Sequence, residues 1–256
     1  MASTPTDAAD LTGTPPPPAS TAFTIDTPRL EDAAGCARIH VESWRDAYGD
    51  LLEDHVRWFG KAALVLYFHG GGFVLGSIAS HEPIARFLAH HAQAAVLLVG
   101  YRLAPEHPFP AAHEDAIAAY AWAASHTEDL GVANRIAVAG DSAGGNLALA
   151  VSIAARDRGL PTSDDAGPLA TDPRVSPLRE PDLAGLPPTY LAYAGFDVLR
   201  DESRELADRL REAGVPITER CHTGHIHPFS NVLGVGRTGR AAALEIARAV
   251  REGLQR

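Results

Sequence analysis

The chain has 256 residues and a formal net charge of −10, which argues against a nucleic-acid-binding surface, and its 46% hydrophobic and 21% charged composition suits a globular domain able to bury a real core. No apolar run approaches the ~20 residues needed to span a bilayer, and the first twenty residues lack the basic start and apolar stretch of a secretory signal. The two cysteines, Cys36 and Cys221, lie far apart in neither a metal-ligand nor a disulfide-framework spacing, so a cytoplasmic location is expected.

Residues 1–22 are rich in Thr, Pro, Ala and Asp and include the run Pro15 to Pro18, which predicts a disordered or polyproline-like tail. In residues 23–60, Ala34, Ala37, Ile39, Val41, Trp44 and Tyr48 fall near helical spacing and predict a helical N-terminal segment. From Lys61 to the end the pattern is that of a single catalytic-sized domain, 61–256. Strands are predicted at 63–68, 94–100, 135–140, 189–194 and 215–221, and helices near 82–92, 111–126, 143–157, 201–213 and 239–254. Short apolar strands alternating with helices imply an α/β fold, with a parallel-rich sheet of about five strands covered on both faces. Between Leu160 and Pro188 the chain is rich in Pro, Asp and Gly and predicts no strand.

The most informative stretch is "IAVAGDSAGGNL", residues 136–147. It places Gly140-Asp141-Ser142-Ala143-Gly144, a G-x-S-x-G pattern, between a strand and a helix. In that context the serine hydroxyl projects above the sheet on a strained turn, and the helix N-terminus favours developing negative charge. The bland reading is a tight turn or a phosphate-binding turn. A second motif, His69-Gly70-Gly71-Gly72-Phe73, follows the first strand directly. Three glycines let backbone N–H groups converge, as an oxyanion hole requires, with Ala143 N–H as a further donor.

A serine nucleophile needs a base and an orienting carboxylate, expected in the order Ser, Asp or Glu, His. Asp197 stands just past a strand end, where open α/β sheets place functional groups, whereas Asp201 and Glu202 read as first-turn helix residues. "HTGHIHPF" supplies His222, His225 and His227; His227 is the favoured base and His225 the alternative. No carboxylate or cysteine set completes a metal site with these histidines, so neither metal nor other cofactor is expected. "GVGRTG", 234–239, is a G-x-G-x-x-G with no strand before it and reads as a chance match.

Taken together, "LVLYFHGGGFVLGS", "GYRLAPEHPFPAAHEDA", "RIAVAGDSAGGNLA", "SPLREPDLAGLPPTYLAYAGFDVLRDES" and "HPF" resemble the hormone-sensitive-lipase-like group of α/β-hydrolase esterases over most of residues 61–230. The resemblance implies Ser142 as nucleophile, His227 as base, Asp197 as its orienter, and Gly71, Gly72 and Ala143 as the oxyanion hole. It also implies hydrolysis of carboxylic esters of short or medium acyl chains. The chain departs from the group's pattern in several places. The segment before "HGGG" is replaced, Gly100 stands where the group has Asp, and Pro228 stands where it has Gly. A parallel strand and its crossover are missing between the nucleophile helix and "SPL"; a βα unit takes roughly 30 residues, so its loss predicts a shifted sheet or a hole in it. Residues 23–52 are similar to the start of a GNAT-type N-acetyltransferase, but no pyrophosphate-binding loop follows.

The residues therefore predict serine-dependent hydrolysis of a small ester. Two other readings stay open: an inactive hydrolase-fold binding protein, and an acyltransferase. The expected partner is a small-molecule ester, with no nucleic acid and no membrane span; self-association is expected if an apolar face is left uncovered.

Overall fold

The structure, a computed structural model, describes residues 62–157, 172–231, 233 and 236–255. The tail at 1–22, the helical segment at 23–60 and the acetyltransferase-like stretch lie outside the described residues, as does most of the strandless link, 158–171.

Among the described residues five strands and five α-helices alternate. They are β1 (Leu64–Phe68), α1 (Ile78–Ala92), β2 (Ala95–Val99), α2 (Ala111–Ser125), β3 (Ile136–Gly140), α3 (Ala143–Asp157), β4 (Thr189–Phe196), α4 (Arg200–Glu212), β5 (Ile217–Ile226) and α5 (Gly236–Leu254). Each strand and helix predicted between 61 and 256 is present, and α3 keeps its predicted bounds. Helix α1 begins four residues earlier than periodicity suggests, because Ser77 and Ser80 form a reciprocal capping box that opens the helix.

All strand pairs are parallel, but the strands form two sheets: β2-β1-β3, and β4-β5. Strand alternation explains the layering. Leu64, Leu66 and Phe68 of β1 pack with Leu147 and Val151 of α3 and Ala116 of α2 on one face, while Val65 and Tyr67 pack with Leu88 of α1 and Ala243 and Ala247 of α5 on the other. Helix α3 also turns Leu149 and Ile153 toward Leu210 of α4, and α5 presents Ala242 to Ala194 of β4. Thus α3 and α5 hold the two sheets between them, and helices cover both faces.

The division falls between β3 and β4, to either side of the Pro-, Asp- and Gly-rich link. Among the described residues, β3 pairs only with β1 and β4 only with β5. The consequence is visible in burial. Every residue of β1 is buried, whereas every residue of β3, although apolar, is only half-buried.

Candidate active site

Each functional segment lies at the C-terminal end of a parallel strand, the end where α/β sheets collect their ligands. After β3, Ser142 holds a left-handed backbone with φ of 54°. A non-glycine residue there is strained, as a nucleophile elbow requires. The flanking glycines are obligatory for a steric reason. A Cβ on Gly144 would collide with the Phe68 carbonyl, and one on Gly140 with the Gly144 carbonyl.

After β1, Gly71 (φ 127°), Gly72 (φ 62°) and Phe73 (φ 64°) form a left-handed run that only a glycine-rich loop adopts readily. The Gly71 carbonyl accepts from the N–H groups of Val74 at 3.1 Å and Leu75 at 2.9 Å, which closes the loop. Among the described residues, no turn or loop hydrogen bond takes up the N–H groups of Gly71, Gly72 or Ala143. His69 anchors the loop from beneath: it is 1% exposed and stacked on Tyr101 at 4.2 Å, and the Tyr101 hydroxyl donates to its carbonyl at 2.6 Å.

Asp197 and His227 follow β4 and β5 immediately. Asp197 Oδ2 lies 3.0 Å from His227 Nδ1, and its Oδ1 accepts from Leu199 N–H at 2.9 Å. The carboxylate side chain is 5% exposed and the imidazole 30%. The choice of histidine comes from strand register. Ala194 pairs with His222; continued regularly, that register would set Asp197 beside His225. An irregularity between Ala194 and Phe196 carries β5 ahead and pairs Phe196 with Ile226, so His227 meets Asp197 instead. Gly195 permits it, since a Cβ there would strike the Thr223 backbone. Strand β5 accordingly runs to Ile226, five residues past the predicted end at Cys221.

His225 and His222 turn to Phe229 instead, with ring centroids at 5.4 and 4.7 Å. Burial lowers the His222 pKa. Among the described residues, no three His, Cys, Asp or Glu side chains come together as a metal site. The described hydrogen bonds do not include one from Ser142 Oγ to His227; such contacts tighten on substrate binding.

One group escaped the sequence reading. Asp141, the variable position of the elbow motif, is buried and accepts from Tyr67 Oη at 2.9 Å, Gly70 N–H at 3.1 Å and Asn231 Nδ2 at 2.8 Å. Its carboxylate joins the glycine loop, the elbow and the turn after His227. An aspartate between two apolar elements was a readable signal; Asn231 carried none. Beside it, burial raises the Tyr101 hydroxyl pKa, with the Asp141 charge adding to the shift.

Burial also lowers the pKa of His69 and of His113, a residue of α2 whose Nε2 lies 3.0 Å from Asn146 Oδ1 of α3. A folded pKa below the unfolded value of about 6.5 means that the unfolded chain binds more protons as pH falls through that value. The stability from these neutral imidazoles is complete above about pH 6.5 and is lost progressively below it. Thermal unfolding followed by circular dichroism is expected to give a lower Tm at pH 5.5 than at pH 7.5; an equal or higher Tm at pH 5.5 would refute it.

Relatives carry the same pattern. The alpha/beta hydrolase fold family matches residues 65–170 and 162–231. The chain is 36% identical over 259 aligned residues to the carboxylic ester hydrolase LipN of Mycobacterium tuberculosis, covering 81% of this chain and 68% of LipN. It is 33% identical over 230 residues to an arylesterase of Saccharolobus solfataricus, covering 74% of each. A hyperthermophilic esterase from the archaeon Pyrobaculum calidifontis superposes with a TM-score of 0.71 at 38% identity, covering 76% of each chain. The acetyltransferase resemblance of residues 23–52 gains no support, since the family match begins at residue 65. With a glycine-flanked serine on a strained elbow, an uncommitted glycine loop and an Asp–His pair at adjoining strand ends, this chain belongs to the alpha/beta hydrolase fold family.

Proposed function

We propose that this protein hydrolyses carboxylic esters, with Ser142 as nucleophile, His227 as general base and acid, Asp197 as the group that orients His227, and Gly71, Gly72 and Ala143 as oxyanion donors. The observation that carries the reading is the Asp197–His227 hydrogen bond, set beyond two strand ends and tied through Asn231 and Asp141 to the Ser142 turn.

Asp197 accepts from Nδ1–H of His227, which leaves the Nε2 lone pair free to take a proton. As Ser142 Oγ attacks the ester carbonyl carbon, its proton passes to Nε2. The carbonyl oxygen becomes an oxyanion and receives hydrogen bonds from the three backbone N–H groups. The C–O bond to the leaving group then breaks, the alcohol takes the proton from Nε2, and an acyl-enzyme remains. Water gives its proton to Nε2, attacks the acyl carbon, and Ser142 leaves with its proton restored.

Val74 and Leu75 beside the glycine loop, and Phe196, Val198 and Ile226 beside the Asp–His pair, are exposed. These apolar side chains suit short or medium acyl groups. Among the described residues no helix is long and apolar enough to cross a membrane. Cys221 is an exposed free thiol, as a reducing compartment such as the cytoplasm would keep it.

The division of the sheet favours a second reading, an inactive binding protein, because Ser142 and His227 follow strands of different sheets. Fluorophosphonate labelling read by intact mass decides between them. Hydrolysis predicts one adduct at Ser142; a folded protein that takes up none is the binding protein.

A further inference from the structure

Ser142 follows a strand of the three-stranded sheet, whereas Asp197 and His227 follow the two strands of the other. Among the described residues no backbone ladder crosses between them. Yet base and nucleophile must meet closely, and about 1 Å of misplacement costs on the order of 100-fold in rate.

Asn231 spans the division. It ends the 3-10 turn Phe229–Asn231, four residues after His227, and its backbone N–H donates to the Pro228 carbonyl at 3.2 Å. Its Nδ2 donates to Asp141 Oδ2 at 2.8 Å and lies 3.2 Å from His81 Nε2. The amide orientation follows from the neighbours: a carboxylate can only accept. His81 Nε2 also lies 3.3 Å from Gly70 N and 3.5 Å from Asp141 Oδ1. Asn231 Oδ1 is buried and has no partner among the described residues. The hydrogen bonds of this side chain are thus made through its N–H groups.

We propose that Asn231 is a positioning residue, whose amide bridges the two sheets and holds the turn that carries His227 in register with Ser142. This rests on the reading of Ser142, Asp197 and His227 as the catalytic triad.

Two variants test it, with rates on p-nitrophenyl butyrate expressed per Ser142 titrated by fluorophosphonate, so that misfolded protein is not counted. Asn231→Ala is expected to lower kcat about 10- to 30-fold with KM within about twofold, a displaced base and an intact binding surface. Asn231→Asp sets a second carboxyl against Asp141, and two carboxyls in contact hold a shared proton to higher pH. That variant keeps an O–H···O bridge near pH 6, and its rate relative to wild type falls toward that of Asn231→Ala as pH rises. The groups facing the pair are Tyr67 of β1, His69 just beyond it, Tyr101 beyond β2 and His81 of α1. A per-site kcat of Asn231→Ala within twofold of wild type, or an Asn231→Asp ratio flat from pH 6 to 9, would overturn the positioning role. A wild-type protein that takes up no phosphonate at Ser142 overturns the triad reading itself, and the positioning role with it.

Discussion

Replacing Ser142 with alanine is expected to lower kcat/KM for p-nitrophenyl butyrate by about 10⁴- to 10⁶-fold, because the covalent route is then closed and only binding and the oxyanion donors remain. The fluorophosphonate adduct should disappear with it. The comparison is clean because the alanine keeps the fold. The backbone at this position already pays for its left-handed φ of 54° in wild type, and a Ser→Ala change removes one oxygen without altering that term. Since Ser142 Oγ makes no hydrogen bond to His227 in this structure, its loss should leave Tm within a degree or two, about 0.5 kcal/mol. A Ser142→Ala protein that folds normally and still cleaves the ester within tenfold of wild type would remove Ser142 from the mechanism.

Asp197→Asn is expected to cost about 10³- to 10⁴-fold in kcat with little change in KM. The carboxylate is 5% exposed and shares its two oxygens between His227 Nδ1 at 3.0 Å and Leu199 N–H at 2.9 Å. An asparagine must keep its carbonyl oxygen toward the Leu199 N–H, which turns its NH₂ to Nδ1. Nδ1 then has to accept, the ring proton moves to Nε2, and the base can no longer take the Ser142 proton. Steady-state kinetics from pH 6 to 9 would show the loss across the range, and a kcat within tenfold of wild type would refute the assignment. His225→Asn supplies the contrast. That ring packs on Phe229 and makes no bond to Asp197, so kcat measured in the same assay should stay within about threefold of wild type. A loss as large as that of Asp197→Asn would transfer the base to His225.

The alternation of β-strands and α-helices was legible because each strand is a short apolar run and each helix a 3.6-residue pattern, and both signals are local. The strain at Ser142 was legible too, since glycines at 140 and 144 are explained by contacts within the strand-turn-helix unit and with the Phe68 strand end beside it. The Pro-, Asp- and Gly-rich link between Leu160 and Pro188 was legible as well, but not the grouping of the described strands into three and two, with β3 half-buried.

The remainder depended on neighbours distant in the chain. Three histidines in six residues are equivalent by composition and spacing, and "CHTGHI" looks more like a loop than the end of a strand. What separates His227 from His225 is how β5 lies against β4, where an irregularity at Gly195 and Thr223 advances the pairing. Likewise nothing in the chain near Asn231 announces Asp141, ninety residues away, as its partner. Local residue chemistry thus determined which groups could form a nucleophile, a base and an oxyanion hole, while register and side-chain bonds across the divided sheet decided which of them meet, because a hydrogen bond is sensitive to tenths of an ångström and a sequence pattern carries no such distance.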